Sequence, residues 1–224
     1  MKFDAWFFDL DDTLYEELAF VRSGFGAVAD FVASRGAIEA SEAREVMEKT
    51  LAEQGRGKVF DVLIEGAGLQ GVVAPLTLVH IYRTHAPSIE LQEDAVVVLS
   101  ELRSRGALLG VITDGMGSVQ RRKLEALDVD RYVDLSLATD ELGSHCWKPS
   151  PEGFRVACER LEVAPQNCCY VGDNPRKDFE GANQLGITTI RLQADWCQFA
   201  ANPDSVLKDA APDQHIESLR QLLY

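Results

Sequence analysis

Residues 5–13, AWFFDLDDT, decide the fold of this chain. The first four are apolar on both alternating faces, as in a strand of a parallel sheet that helices cover on both sides. The strand ends abruptly at Asp9, and Asp11 and Thr13 follow within four residues. In open α/β sheets, ligands bind outside the carboxyl ends of the strands. We therefore expect this segment to deliver acidic side chains to a binding site.

The next ninety residues have a helical pattern. Apolar residues recur at steps of three and four from Phe20 to Val32, and Gly36 is a plausible helix stop. Further helices are predicted near 41–54, 59–65, 75–85 and 93–105, and no strand is predicted among them. This block is too long for a simple crossover between two strands, so we interpret it as an inserted helical cap domain.

Strands and helices alternate after Gly106. Strands are predicted at 107–112, 132–138, 168–171 and 187–192. Helices are predicted at 118–127, from the Ser150-Pro151 pair to 161, at 178–185 and at 216–223. Such alternation favours an α/β fold with a doubly wound, Rossmann-like parallel sheet. The predicted domains are an α/β core of residues 1–14 and 93–224, and the helical cap of residues 15–92.

Composition restricts the partners. The net charge of −14 over 224 residues argues against nucleic acid or an anionic membrane as a partner, because both need a basic surface. No stretch is long enough to span a membrane, and the short N-terminal apolar run is no signal peptide. An odd number of cysteines, five, without zinc-type spacing predicts reduced thiols and a cytoplasmic protein. We expect a monomer or a homodimer.

Polar residues follow four predicted strand ends. The four groups are Asp9 with Asp11 and Thr13, Thr113-Asp114-Gly115, Lys148-Pro149, and Gly172-Asp173-Asn174 with Asp178. Each alone has an ordinary explanation, such as a turn residue, a helix cap or a surface lysine. Their order and their common placement at strand ends carry the argument. Clustered carboxylates are hard oxygen ligands, which suit Mg²⁺.

These four groups resemble, in order, the four motifs of the haloacid dehalogenase superfamily, and the resemblance covers nearly the whole chain. The helical insertion after the first motif is similar to the cap of one type within that family. One departure is the loop before Lys148, where residues 143–147 make the spacing slightly longer than is common in the family.

The resemblance implies phosphoryl transfer dependent on Mg²⁺. Asp9 would attack phosphorus and form an aspartyl-phosphate, with Asp11 as general acid and base. Thr113 and Lys148 would hold the phosphoryl oxygens together with the backbone amides near Asp114 and Gly115. The resemblance also implies that Asp9 and Asp173 bind the metal through their carboxylates and Asp11 through its backbone carbonyl. Asn174 would contact the substrate. Thr13 and Asp178 would orient the metal ligands, with Asp178 paired with Lys148.

Other functions use some of the same residues. Dehalogenation needs no acid two residues after the nucleophile, so Asp11 argues against it. A phosphonatase needs a cap lysine that forms a Schiff base, and neither Lys49 nor Lys58 has a persuasive context. A phosphomutase or other phosphotransferase uses the same core residues and stays open. A receiver-type signalling domain is a further alternative, although chain length and Asp11 disfavour it. A non-catalytic protein that binds Mg²⁺ or phosphate is also an alternative.

The cap is expected to select the substrate, because the core motifs contact only the phosphate. We predict a small phosphomonoester, a sugar phosphate or a nucleotide, enclosed on cap closure. Tyr15, Phe20, Arg22 and Arg83 are candidate cap or hinge contacts. The alternative for these residues is a core aromatic or a helix-surface charge.

Overall fold

The structure, a computed structural model, describes residues 3–36, 38–204 and 210–224. The chain divides into two compact units, one formed by residues 1–17 and 89–224 and the other by residues 18–88. The first is an α/β unit and the second is helical. Within the described residues, no helix is both long enough and apolar enough to cross a membrane.

The described residues of the α/β unit form a parallel sheet of six strands in the order β3-β2-β1-β4-β5-β6. The strands are β1 (Ala5–Phe8), β2 (Leu108–Thr113), β3 (Leu135–Ala138), β4 (Cys168–Gly172), β5 (Thr188–Leu192) and β6 (Gln214–Ile216). The predicted doubly wound parallel sheet is confirmed.

The strand order creates a switch point at β1. The chain runs from β1 to β2 and β3 on one side, and then places β4 and β5 on the other. Phe8 at the end of β1 lies beside Val111 of β2 and Val171 of β4. Because ligands bind where the strand order reverses, the residues after β1, β2 and β4 share one site. Asp9 begins it, with its backbone N–H donating to the Val171 carbonyl at 2.8 Å.

Helices of the α/β unit cover the sheet. They are α5 (Glu93–Ser104), α6 (Gly117–Ala126), α7 (Glu152–Arg160) and α8 (Glu180–Gln184). All four residues of β1 are buried, as expected for a strand with helices on both sides. One core cluster joins Phe7, Ile112, Phe154 and Tyr170, and the last two rings meet edge to face with centroids 4.8 Å apart.

The helical unit has its own core. Its helices are α1 (Glu17–Ala33), which begins at the end of the α/β segment, α2 (Ala40–Gln54), α3 (Val59–Gly66) and α4 (Pro75–Thr84). Phe25, Val28, Met47, Leu63 and Leu78 are among the buried residues that pack together there. The predicted helical stretches are confirmed, and the described residues between 16 and 104 contain no strand.

The prediction for the C-terminus was wrong. Instead of a helix at 216–223, the chain forms β6, whose His215 pairs with Arg191 of β5, and then a 3-10 helix at Leu219–Leu223. Ser218 caps that 3-10 helix, and its hydroxyl also donates to Asp94 of α5 at 2.6 Å. The apolar residues here have helical spacing, but the tertiary contacts with β5 and α5 outweigh the preference for an α-helix.

Two predicted elements are shorter than expected. The strand predicted at 132–138 starts only at Leu135, because residues 129–131 form a 3-10 turn and the Asp134 carboxylate accepts from the Leu109 N–H at 2.9 Å. The helix predicted from Asp178 starts at Glu180, because the Asp178 side chain turns inward to the site described below.

Candidate active site

The turn after β1 fixes the first acidic residues. Asp9 is only 1% exposed, and Leu14 N–H donates back to the Leu10 carbonyl at 3.0 Å. Asp12 adopts a positive φ of 53°, a conformation that aspartate tolerates better than most residues. Its carboxylate accepts from the Glu17 N–H at 2.8 Å, which caps the start of α1.

Lys148 lies at the centre of a buried cluster. Its ammonium group donates to Asp9 Oδ1 and Asp178 Oδ1, each at 2.8 Å, and contacts the Tyr170 hydroxyl at 2.7 Å. The side chain is completely buried. Burial alone would lower the pKa of Lys148, but the carboxylates of Asp178 and Asp9 outweigh it and raise the pKa. The lysine therefore stays charged between two carboxylates.

The longer loop before Lys148 still delivers the ammonium group to Asp9. The loop is taken up in two 3-10 turns, Thr139–Leu142 and Ser144–Cys146. Asp114 braces it, because its carboxylate accepts from the Lys148 N–H at 3.0 Å and from the Thr139 hydroxyl at 2.5 Å. The extra loop residues therefore do not displace the lysine.

Three carboxylates meet beside Lys148. Asp9, Asp173 and Asp178 each offer an oxygen, and these oxygens lie within 4.8 Å of one another. Asp9 Oδ2 and Asp173 Oδ2 are buried and have no hydrogen-bond partner among the described residues. Burial, together with the charges of Asp178 and Asp9, raises the pKa of Asp173 to about 9. Buried carboxylate oxygens without partners fit a hard divalent cation such as Mg²⁺.

Asp9 is kept ionised by two lysines. Burial by itself would raise the pKa of Asp9, but Lys148 and Lys177 together lower it. The Lys177 ammonium group lies 3.7 Å from Asp9 Oδ2. A buried carboxylate that stays charged is suited to act as a nucleophile.

The segment after β4 folds back on itself. The Asn174 N–H donates to Asp178 Oδ2 at 2.8 Å, and the Asn174 side chain accepts from the Arg176 N–H at 3.0 Å. Buried Arg191 donates to the Asp173 carbonyl at 3.3 Å. The backbone of Asp173 is thus held by Arg191, whereas its carboxylate oxygen Oδ2 accepts no hydrogen bond from the described residues.

Asp11 belongs to a second cluster. Its carboxylate is not among the three that meet beside Lys148. Lys123 donates to both of its oxygens, at 2.6 and 2.8 Å, and the Tyr15 hydroxyl donates to Oδ1. Gln120 approaches Oδ2 at 3.5 Å and accepts from the Thr113 hydroxyl at 3.0 Å. Asp11 and Thr113, predicted from different motifs, are thus linked through one glutamine.

The remaining predicted residues do not join either cluster of acids through a side-chain hydrogen bond among the described residues. Gly115 has a φ of 119°, which glycine adopts without strain. The buried Thr13 hydroxyl has no hydrogen-bond partner among the described residues. Phe20 is a core aromatic that contacts the rings of Tyr82 and His85. Arg22, Lys49, Lys58 and Arg83 are all exposed residues of the helical unit.

Four residues around the candidate site were not predicted for it. Tyr170, Lys177, Gln120 and Lys123 all contact or approach predicted site residues. Lys177 is adjacent to Asp178, and the one available signal for Gln120 and Lys123 was their i, i+3 spacing on the helix after Thr113. Tyr170 lies inside a buried strand, where sequence gives no reason to separate it from the core.

Comparison with known proteins identifies the family. Residues 6–192 match the model of the haloacid dehalogenase-like hydrolases. The chain therefore belongs to this hydrolase family, as the sequence motifs predicted.

Three relatives illustrate the range of similar proteins. A glyceraldehyde 3-phosphate phosphatase of Methanopyrus kandleri is 30% identical, over 98% of this chain and 95% of that protein. An (S)-2-haloacid dehalogenase of Burkholderia cepacia is 32% identical, but over only 58% of this chain and 52% of that protein. The crystal structure of a phosphatase of this family from Thermococcus onnurineus is 26% identical with a TM-score of 0.61, covering 99% of this chain and 96% of that one.

Proposed function

We propose that this hydrolase is a Mg²⁺-dependent phosphatase that cleaves a small phosphomonoester through an aspartyl-phosphate on Asp9. The observation that carries the proposal is the contrast between two acids two residues apart. Asp9 is buried, ionised and held by Lys148, whereas Asp11 lies in a separate cluster with its own lysine. Two acids in different environments are what a nucleophile and a general acid require.

In the first step, a carboxylate oxygen of Asp9 attacks phosphorus. The bond from phosphorus to the ester oxygen breaks, and Asp11 gives its proton to that departing oxygen, which leaves as an alcohol. Lys148 stabilises the negative charge on the phosphoryl oxygens, and the Thr113 hydroxyl and backbone amides near Gly115 position the group. Protonation of the leaving oxygen contributes roughly 10²–10⁴-fold.

In the second step, water attacks the phosphorus of the aspartyl-phosphate. Asp11, now a carboxylate, takes a proton from that water, and the bond between Asp9 and phosphorus breaks. Inorganic phosphate leaves, Asp9 returns as a carboxylate, and Asp11 is again protonated. The cycle is balanced because Asp11 recovers in this step the proton that it gave in the first.

The carboxylates of Asp9 and Asp173 would hold the Mg²⁺ ion, together with the Asp11 carbonyl. The buried oxygens of Asp9 and Asp173 that accept no hydrogen bond from any described residue support this assignment. Asp178 orients the site through Lys148 and the Asn174 backbone. When bound, the ion would supply positive charge that offsets repulsion between the anionic nucleophile and the phosphate.

A sugar phosphate is the proposed substrate class. The near full-length relative named glyceraldehyde 3-phosphate phosphatase favours a small sugar phosphate over a nucleotide or a phosphoprotein. We further propose that the helical unit is a cap that selects this substrate.

A panel of phosphorylated metabolites tests the function. Purified protein with Mg²⁺ is assayed for released phosphate on triose phosphates, other sugar phosphates, nucleotides and a phosphopeptide. We expect turnover of one or more small sugar phosphates, and inhibition by EDTA that excess Mg²⁺ reverses. Turnover of the phosphopeptide alone would contradict the substrate class.

The control for dehalogenation is an assay of halide release from 2-haloacids by the same purified protein. Asp11 supplies a proton that a departing halide does not need, so we expect no halide release. Halide release without phosphate release would replace this proposal by dehalogenation.

A further inference from the structure

Helix α6 presents two side chains to Asp11. Gln120 and Lys123 are three residues apart and therefore on the same face of the helix. The Lys123 ammonium group reaches both carboxylate oxygens, at 2.6 and 2.8 Å, and its side chain is 4% exposed against 20% for Asp11. An ammonium group this deeply buried loses its hydration, so a favourable contribution to stability is a weak explanation for its presence.

The contact with both oxygens has a geometric consequence. When Asp11 carries a proton on one oxygen, Lys123 can still donate to the other. The carboxyl group is therefore held in place before and after it gives up its proton. The Tyr15 hydroxyl approaches from the segment after β1 and further restricts the rotation of the carboxyl group.

The same helix also reaches the end of β2. Gln120 accepts from the Thr113 hydroxyl at 3.0 Å, and its amide nitrogen lies 3.5 Å from Asp11. One face of α6 thus sets the position of a phosphate-binding candidate and of the proton donor together. Misplacement of a reacting group by about 1 Å can cost 10²-fold in rate, so this alignment has kinetic weight.

We propose that Lys123 is a positioning residue for leaving-group protonation, holding the Asp11 carboxyl group where it can reach the departing oxygen. The inference rests on the proposed phosphatase function. It distinguishes Lys123 from Lys148, which contacts the nucleophile. It predicts that losing Lys123 slows cleavage of esters whose leaving oxygen needs a proton more than cleavage of esters whose leaving oxygen does not.

The test compares two leaving groups. An alkyl phosphate releases an alkoxide that needs a proton, whereas p-nitrophenyl phosphate releases a stable phenolate that does not. The value of kcat/KM reports the reaction through departure of the leaving group, so hydrolysis of the intermediate does not mask the difference. The alkyl substrate is the sugar phosphate that the wild-type protein hydrolyses fastest.

Lys123→Met keeps the apolar stem and removes the charge. We expect kcat/KM for the alkyl phosphate to fall roughly 10–100-fold, with a much smaller fall for p-nitrophenyl phosphate. Lys123→Arg should recover part of the alkyl activity. In an Asp11→Asn background, Lys123→Met should add little, because the group that it positions is already lost.

Arg121→Gln is the matched control on the same helix. Arg121 pairs with Glu141 on a partly exposed surface, so its loss should leave both substrates unaffected. If Lys123→Met shows no cooperative thermal transition, Lys123→Gln is measured in its place. Its side chain is neutral and one bond shorter than that of lysine, so it should show the same contrast.

Equal losses on both substrates, or faster alkyl hydrolysis in Lys123→Met, would overturn the positioning role while leaving the phosphatase proposal intact. If the wild-type protein released no phosphate in the presence of Mg²⁺, both the proposed function and this inference would be overturned.

Discussion

At the scale of single residues, the site concentrates like charges in a place that excludes water. Asp9, Asp173 and Asp178 are each at most 2% exposed, and Lys148 neutralises the first and the last. Asp173 has no such cation within hydrogen-bonding reach among the described residues, and one of its oxygens has no partner. Buried charge without compensation destabilises the folded state.

Replacing Asp173 by asparagine therefore separates stability from metal binding. In EDTA near neutral pH, Asp173→Asn should raise the free energy of unfolding by roughly 1–3 kcal/mol. The buried aspartate must take up a proton when the chain folds, whereas the amide has nearly the same shape and is always neutral. Added Mg²⁺ should stabilise the wild-type protein and no longer stabilise the variant. Thermal unfolding with and without Mg²⁺ measures both effects, and an unchanged Mg²⁺ shift in the variant would remove Asp173 from the ligand set.

The same carboxyl group predicts a pH dependence in EDTA. Burial and the charges of Asp178 and Asp9 raise the pKa of Asp173 from an ordinary 3.8 to about 9 in the folded protein. Between these values the folded state holds a proton that the unfolded state has lost, so stability falls as the pH rises through that window. Denaturant unfolding at pH 6 and pH 8 should show a larger decrease for wild type than for Asp173→Asn. Identical slopes would count against the raised pKa.

At the scale of elements, α8 packs closely against the loop that carries Lys148. A Cβ on Gly181 would lie 2.4 Å from the Pro149 carbonyl oxygen and 2.8 Å from that of Ser150. These are backbone atoms, so they cannot move aside without moving the chain next to Lys148. The glycine therefore permits the approach that places the lysine beside Asp9.

Gly181→Ala should accordingly cost about 1–3 kcal/mol of stability through overpacking, and it should lower kcat by moving Lys148. Gly66→Ala is the matched control, since its Cβ would meet nothing within 4 Å at the end of α3. That change should be neutral or slightly stabilising. Equal melting temperatures and equal kcat for the two variants would show that the close approach is unimportant.

At the scale of the whole molecule, all predicted catalytic residues lie in the α/β unit, formed by residues 1–17 and 89–224. The α/β segments on either side of the helical insertion are joined, because the Gln92 N–H donates to the Leu14 carbonyl at 2.9 Å. A short Gly-Ser linker can therefore replace residues 18–88 without stretching the sheet.

Such a shortened protein should fold and keep its Mg²⁺-dependent thermal stabilisation, because the metal-ligand candidates are intact. It should lose discrimination among sugar phosphates, since the proposed cap is gone. Thermal unfolding and the metabolite panel measure the two properties. Retention of full substrate preference would show that selection resides in the α/β unit.

The sequence was sufficient to predict the sheet and the groups at its edge, because buried strands followed by acids are local patterns. It was insufficient for β6, whose three residues include two exposed ones and pair only through tertiary contact. The apolar spacing of Ile216, Leu219 and Leu223 favoured a helix there. Lys123 was missed because a lysine on a helix is ordinarily solvated, and only the fold places it against Asp11.

The central claim is that the Asp9 carboxylate is the nucleophile, and Asp9→Asn tests it most directly. Asp4→Asn is the control, an exposed aspartate just before the start of the same strand. With Mg²⁺ and the best sugar phosphate, Asp9→Asn should release phosphate at least about 10³-fold more slowly than wild type while keeping a cooperative thermal transition, and Asp4→Asn should match wild type. Phosphate release by Asp9→Asn at the wild-type rate would contradict the account.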